Sequence, residues 1–365
     1  MSRGEALPRL TSLRLFAAGA VVVYHLDVWG VAALPGGVSL LGYLGVPFFF
    51  TLSGVVLTWG ADRRVPVRRF YRRRFARVWP NHAVMAGVAA LVPIVPAATG
   101  LVVAVPNLLL IQAWWPHDEQ VIYGMNGVSW SLSCEAFFYA CFPVILAVLR
   151  RVAPPWRWAL AGSGLLLSLV AGILRPEVAD HLPAVRLAEF LLGVVAGLAL
   201  REGWVPRIPV LAALGAVTLG LMLSYRLPYP LPNTVMALPF VVALLCAAGR
   251  DLRGEPGWLP SRWLIFAGEA SFALYLVHEL TILNLREVVP FEPWVNASVL
   301  VVVACVAAVA LHLLVERPAN KRLRGGAPSV ALASPSELAL PQVQDDPAQP
   351  DCGTSPASPG DPERG

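Results

Sequence analysis

Long apolar runs dominate this 365-residue chain and constrain its fold more than any other feature. Hydrophobic residues make up 57% of the sequence and charged residues 14%, whereas soluble domains are near 25% charged. Many of the runs approach the roughly 20 apolar residues that an α-helix needs to cross a bilayer. No segment shows the alternating pattern of barrel strands. The sequence therefore predicts an all-α fold, a polytopic integral membrane helix bundle.

Eleven apolar segments are candidate membrane spans. They fall near residues 10–29, 38–59, 79–98, 100–114, 129–149, 158–174, 184–200, 208–225, 232–248, 262–284 and 295–316. Segment 100–114 is short, contains Pro106 and Asn107, and follows its neighbour with almost no loop. We therefore expect about ten transmembrane helices, with 100–114 as one short re-entrant or interfacial segment.

The distribution of Arg and Lys predicts how the ten helices are oriented. If both termini are cytoplasmic, only Arg175, Arg226 and Arg286 remain in outer loops, as the positive-inside rule requires. The loop at 30–37 and the stretch 115–128 then face outward. The N-terminus has no convincing cleavage site, so we expect an uncleaved first span and a multi-pass protein of the plasma (inner) membrane.

The composition changes near residue 325. Residues 325–365 are rich in Pro, Ser, Ala, Gly and Asp and have no apolar period. Such a segment cannot bury enough apolar surface to fold. We expect a transmembrane domain over 1–324 and a disordered cytoplasmic tail over 325–365. The Cys and His spacings resemble neither a disulfide framework nor a metal site, so no metal is expected.

Arg14 and His25 lie inside the first apolar run. Ionisable residues in a membrane span are costly and usually mark a functional path. Eleven residues are close to three helical turns, so both side chains should share one helix face, roughly 16 Å apart along the axis. The alternative is an Arg that extends to the membrane surface and a hydrogen-bonded core His.

Eight Arg residues and no Lys occur between Arg63 and Arg77. Arg69, Arg73 and Arg77 recur at i+4, and Arg74 neighbours Arg77 at i+3, so they form one basic helix face. Guanidinium groups favour bidentate contacts with phosphate, which suits a cytoplasmic ligand with several phosphates. Alternatively, the arginines set the orientation of the chain in the membrane and attract anionic lipid head groups. Nucleic acid is not expected, because the patch is small and lies against the membrane.

Two motifs place polar side chains at the ends of apolar segments. Ser53 lies near the end of the sequence VPFFFTLSG, and the sequence WSLSCE begins at Trp130 and ends at Glu135. Glu135 precedes a long apolar run, so it enters the membrane and needs a partner, for which His25 or an Arg is the natural candidate. The alternatives are a helix contact through small residues and an interfacial Trp belt with a Glu near the head groups.

A later span carries Tyr275 and His278 at i+3 on one helix face, with Ser271 one turn before Tyr275 and Glu279 directly after His278. Polar side chains that share a face inside a membrane point toward other helices or toward a polar cavity. The alternative is a buried polar cluster that ties helices together.

In this order, the motifs resemble the membrane acyltransferase-3 family of polytopic O-acyltransferases. The match covers residues 8–324, in the small form of the family that has no appended soluble domain. Phe272 stands where such proteins often have Tyr. The pieces that carry the resemblance are Arg14, His25, FFFTLSG at 48–54, FYRRRFARVWP at 70–80, WSLSCE at 130–135, SFALYLVH at 271–278 and ERP at 316–318.

The resemblance implies transfer of an acyl group, usually acetyl, from cytoplasmic acyl-CoA to a hydroxyl acceptor. The acceptor would be a glycan, a lipid-linked sugar or a macrolide-like metabolite. Acyl-CoA would be the co-substrate, no metal would take part, and the lipid bilayer would be the other partner. The enzyme would be an acyltransferase that transfers groups other than aminoacyl groups.

The resemblance also assigns expected roles to these residues. His25 would be the general base, a role that suits histidine near neutral pH, with Glu135 orienting it and Arg14 beside the thioester arm. The acceptor, or the pantetheine arm of the donor, would lie against Trp130. The remaining expected ligand contacts are Arg69, Arg73, Arg74, Arg77 and Ser53 for acyl-CoA, and Tyr275 and His278 for the acceptor. An acyl-histidine or acyl-Ser53 intermediate stays open.

A proton-coupled transporter or flippase is the alternative function. Interior Arg, His and Glu in a ten-span bundle also suit a carrier, but no inverted repeat is visible in this sequence. A scaffold or lipid sensor would not need His25. Consumption of acyl-CoA separates the enzyme from both alternatives.

Overall fold

The computed structural model describes residues 6–62, 64–91, 100–288 and 292–323. All of these residues belong to one structural unit, Met1–Ser329. The predicted tail at 325–365 lies outside the described residues.

The described chain is helical, and no strand occurs in the part that the structure describes. A π-helix, His312–Glu316, joins the last two α-helices, and 3-10 turns occupy Pro35–Leu44, Gln112–Trp114 and Gly127–Ser129. The α-helices are α1 (Pro8–Val28), α2 (Gly45–Trp59), α3 (Val67–Leu91), α4 (Leu101–Leu108), α5 (Glu119–Tyr123), α6 (Trp130–Leu149), α7 (Pro154–Leu174), α8 (Pro176–Ala179), α9 (Pro183–Arg201), α10 (Val210–Ser224), α11 (Leu231–Leu252), α12 (Arg262–Leu285), α13 (Pro293–Leu311) and α14 (Arg317–Leu323).

Eight helical stretches in the described part are long and apolar enough to cross a membrane, and α10 is a shorter apolar helix. This confirms the predicted polytopic all-α fold. Segment 100–114 forms the eight-residue helix α4 followed by a 3-10 turn. Eight residues rise only about 12 Å, too little to cross a bilayer, which agrees with the predicted short segment.

Helix α3 joins the arginine-rich segment to the predicted span at 79–98. The helix runs without a break through Pro80, the last residue of the motif FYRRRFARVWP. Proline removes one backbone donor from a helix, and here the helix continues beyond it. The arginines are therefore fixed to the helix that continues into the bundle. Residues 92–99 of this predicted span lie outside the described residues.

Helices α2 and α9 pack together at close range through two glycines. A Cβ on Gly193 would overlap the backbone carbonyl of Thr51, and a Cβ on Gly54 would overlap the carbonyl of Phe190. Small residues at membrane helix contacts let backbones approach closely. This contact fixes the helix that carries Ser53 against the centre of the bundle.

Candidate functional site

Two cavities lie inside the bundle and meet at two residues. The arginine cavity is lined by α1, α2, α3, α6 and α12, and the histidine cavity lies beside it. Val46 and Tyr275 line both cavities, and we call this pair the neck. The polar lining of the arginine cavity includes Arg14, Ser53, Arg74, Arg77, Glu135 and Tyr139. The polar lining of the histidine cavity includes His25, Asp180, His181, Arg186, Asn233 and Glu279.

Arg14 is held in the arginine cavity by α12 and by an aromatic ring. Its Nε donates to Ser271 Oγ over 3.3 Å, and its guanidinium lies 5.9 Å from the centre of the Phe49 ring. His25 lines the other cavity, so the structure separates two residues that the sequence places on one helix face. Arg14 therefore faces the arginine side of the neck.

Glu135 also belongs to the arginine cavity. Ser53 Oγ donates to Glu135 Oε1 over 2.9 Å, and the Tyr139 hydroxyl donates to Glu135 Oε2 over 2.9 Å. The expected pairing of Glu135 with His25 is wrong, because both carboxylate oxygens are engaged here and His25 lines the other cavity. Glu135 instead places a negative charge among the arginines.

The predicted basic face reaches the cavity only at its C-terminal end. Arg74 and Arg77 line the arginine cavity, whereas Arg69 and Arg73 do not. The i+4 spacing puts Arg69 and Arg73 on the expected side of α3, but the cavity contacts only the last turn of the basic segment. Arg74 Nε is buried and has no hydrogen-bond partner among the described residues. This unpaired donor fits an anionic group of a ligand.

Arg77 is anchored by the C-terminal motif ERP. Its guanidinium pairs with Glu316, whose side chain is 1% exposed. Asn81 Nδ2 donates to Glu316 Oε2 over 3.2 Å, and His312 Nδ1 donates to the same oxygen over 3.0 Å. Through this network, Glu316 of the ERP motif fixes Arg77 of the arginine-rich motif at the cavity wall.

The contacts of His25 define which of its ring nitrogens is free to accept a proton. Its Nδ1 donates to the Val21 carbonyl over 2.9 Å and lies 3.2 Å from His278 Nε2. His278 Nδ1 in turn donates to the Leu274 carbonyl over 3.1 Å. Both carbonyl contacts assign the proton of each ring to Nδ1. The lone pair of His25 therefore resides on Nε2.

Glu279 is the carboxylate beside His25. Its Oε1 lies 3.7 Å from His25 Nε2, and its Oε2 accepts from the Val128 amide over 2.8 Å. A Cβ on Gly127 would lie 2.6 Å from Glu279 Oε2, so the carboxylate lies close against the backbone at Gly127. A carboxylate at this distance stabilises the imidazolium that forms when Nε2 takes a proton.

No catalytic role was predicted for Glu279 from the sequence. The signal was present, since an acidic residue directly follows His278 within an apolar segment. It could not be paired with His25, because α1 and α12 are far apart in sequence.

The three residues predicted to contact the acceptor lie in different parts of the bundle. Trp130 lines the histidine cavity, with its ring 4.6 Å from the ring of His181. Tyr275 stands at the neck, where its hydroxyl donates to the Val128 carbonyl over 3.1 Å. His278 is fully buried and lines neither cavity. Its contact with His25 makes it a residue that positions the base, and not the acceptor contact we expected.

The mouth of the histidine cavity is formed by loops that sequence analysis left without a role. Tyr123 and Tyr229 are 45% and 54% exposed there. Asn233 Nδ2 donates to Asp180 Oδ1 over 3.1 Å, and His181 Nε2 lies 3.1 Å from Asp180 Oδ2. Burial lowers the pKa of His181, so its imidazole is neutral near pH 7. Sequence reasoning missed these residues because they lie at or beyond span ends, where polar residues are ordinary.

Comparison with known proteins supports one family. A family model described as an acyltransferase domain matches residues 7–316. Acyltransferase MdmB of Streptomyces mycarofaciens is 34% identical, with 92% of this chain and 97% of that protein covered. O-acetyltransferase OatA of Staphylococcus aureus is 26% identical over 40% of this chain and 26% of that protein. No solved structure matches this chain.

Proposed function

The chain belongs to the acyltransferase-3 family, and from this premise we propose that it moves an acyl group from cytoplasmic acyl-CoA to a hydroxyl acceptor. The observation that carries the proposal is the meeting of the arginine cavity and the histidine cavity at Val46 and Tyr275. One cavity offers cations for a phosphate-bearing donor. The other offers a base for a hydroxyl group.

The donor enters the arginine cavity in this proposal. Acyl-CoA carries several phosphates, and arginine is well suited to bind them because its planar donors match phosphate oxygens. The buried Nε of Arg74, which has no partner among the described residues, supports a bound anion at this wall. The thioester arm would then pass Arg14 and reach the neck.

The acceptor enters the histidine cavity and reacts at the neck. His25 Nε2 takes the proton of the acceptor hydroxyl while that oxygen attacks the thioester carbonyl carbon. The tetrahedral intermediate collapses, the carbon–sulfur bond breaks, and the leaving thiolate takes the proton from His25. Glu279, 3.7 Å from Nε2, stabilises the imidazolium between these two steps.

The proposed setting is the plasma (inner) membrane with both termini in the cytoplasm. In this orientation the arginine-rich start of α3 faces the cytoplasm, and the loops that carry Tyr123 and Tyr229 face outward. Donor and acceptor would then approach the neck from opposite sides of the membrane. The proposed acceptors are a glycan, a lipid-linked sugar or a macrolide-like metabolite.

The test is transfer of label from acetyl-labelled acetyl-CoA by the purified full-length chain, with lipid and small-molecule extracts of the source cell as acceptors. We expect a labelled product with the wild type and a loss of roughly 10²-fold or more in His25→Gln, since general-base catalysis contributes 10²–10⁴. His117→Gln, a change at an exposed histidine, is the matched control. Uptake into vesicles with no product from any acyl-CoA would overturn the proposal and favour a transporter.

A further inference from the structure

We propose that the histidine cavity contains a subsite for a protonated amine, formed by Tyr24, Tyr43, Tyr229 and Asp180. The acceptor would then be a hydroxyl compound that also carries a basic amino group, such as an amino sugar. The assignment of this cavity to the acceptor rests on the proposed function. The subsite itself rests on the rings and charges that line the cavity.

A row of aromatic rings leads from the base to the mouth of the cavity. The Tyr24 ring lies 4.9 Å from the His25 ring, the Tyr43 ring lies 5.8 Å from Tyr24, and the Tyr229 ring lies 5.2 Å from Tyr43. All four residues line the cavity. Aromatic rings attract an ammonium group within about 6 Å of the ring centre. In this proposal the ammonium group lies against the row while the hydroxyl group on the same molecule reaches His25.

Asp180 supplies a carboxylate whose hydrogen-bond partners are neutral. They are the Asn233 amide, the imidazole of His181 and the Tyr229 hydroxyl. The Tyr229 hydroxyl donates its proton to the Asp180 carboxylate in this contact. The Asp180 side chain is 6% exposed. A buried carboxylate is costly without a cation, and a ligand ammonium group supplies one.

The other charged groups of this cavity leave it with an excess of negative charge. Arg186 lies 3.2 Å from Glu189 and 5.3 Å from the centre of the Phe50 ring. It is one cation against the two carboxylates, Asp180 and Glu279, that line the same cavity. Glu279 is held in place by the Val128 amide, which donates to it. The balance favours a cationic acceptor over an anionic one such as a uronate or a phosphate ester.

The test compares two probes that differ only in charge. They are a methyl glycoside with a primary amino group and the same glycoside with a hydroxyl group in its place. Titration calorimetry on the full-length chain at pH 7 should give at least about 10-fold tighter binding of the amine probe, the scale of a buried cation–π and carboxylate contact. Equal Kd values for the two probes would overturn the inference.

Variants distinguish the effects of the Asp180 charge and of the Tyr43 ring from a general loss of structure. Asp180→Asn should abolish the preference while the Kd of the neutral probe stays within about twofold, and an unchanged preference would overturn the inference. Tyr43→Phe keeps the ring and should keep the preference, whereas Tyr43→Leu should lose most of it. Unchanged binding of acetyl-CoA at the arginine cavity reports that each variant is folded.

The same probes separate this inference from the proposed function. If the amine probe binds with an Asp180-dependent preference but no acceptor receives label, the subsite stands and the proposed function fails. If label passes to neutral acceptors as readily as to amine-bearing ones, the subsite fails and the proposed function stands.

Discussion

At the scale of single residues, the orientation of the His25 ring is set by groups on two helices. The Val21 carbonyl on α1 accepts from Nδ1, and Glu279 on α12 faces Nε2. His278 packs behind the ring and restricts its rotation. A base held in this way keeps the same nitrogen directed toward the cavity throughout the reaction.

Glu279→Gln should lower the rate of acyl transfer by roughly 10²-fold, because the imidazolium then loses its carboxylate. The amide can still accept from Val128, so the loop should stay in place. The measurement is kcat with acetyl-CoA. Glu135→Gln is the control, since it removes a carboxylate from the arginine cavity and should act mainly on the KM for acetyl-CoA. An equal fall in kcat in both variants would contradict the assignment of Glu279.

Val46→Ala should widen the neck and favour longer acyl groups. We expect the ratio of kcat/KM for butyryl-CoA to that for acetyl-CoA to rise roughly 10-fold, since a methylene-sized change in an apolar pocket is worth 10- to 200-fold. Val302→Ala on α13, an exposed valine that lines neither cavity, should leave the ratio unchanged. The same ratio in wild type and Val46→Ala would show that the neck does not hold the acyl group.

Sequence reasoning identified interior polar residues better than their partners. Arg14, His25 and Tyr275 all line cavities, because ionisable and polar side chains in apolar segments have few other places to go. The carboxylate that serves His25 was misidentified. Helical periodicity fixes the face of one helix, but which helix packs against that face depends on tertiary contacts that one sequence does not contain.

At the scale of helices, α2 and α9 pack with their backbones in close contact at Gly54 and Gly193. Gly193→Ala should destabilise the protein by about 1–3 kcal/mol, because the new Cβ would overlap the Thr51 backbone. The measurement is thermal unfolding in detergent. Gly215→Ala on α10 is the control, since a Cβ there meets nothing within 4 Å. Equal unfolding temperatures for both variants would contradict this packing.

The lengths of the apolar runs predicted most of the helix bounds. The short run at 100–114, with its proline, predicted the short helix α4. The sequence did not predict that α3 is continuous through Pro80. Proline usually marks a helix boundary, yet here Pro80 lies within the helix. Its neighbours in the bundle hold the backbone helical, and a local sequence pattern does not report such support.

At the scale of the whole molecule, the predicted orientation places the two cavity mouths on opposite faces of the membrane. Alkaline phosphatase, which is active only outside the cytoplasm, should be active when fused after Leu227, between α10 and α11. It should be inactive when fused after Gly257, between α11 and α12. The reverse pattern would invert the proposed sides of donor and acceptor.

The central claim is that donor and acceptor enter from opposite faces and react at His25. The most direct measurement uses sealed vesicles with the protein in one orientation and labelled acetyl-CoA supplied on one face at a time, with the acceptor fraction on both faces. We predict labelled product only when acetyl-CoA is on the face of Arg74 and Arg77, and almost none with His25→Gln. Equal product from either face, or undiminished product with His25→Gln, would contradict the account.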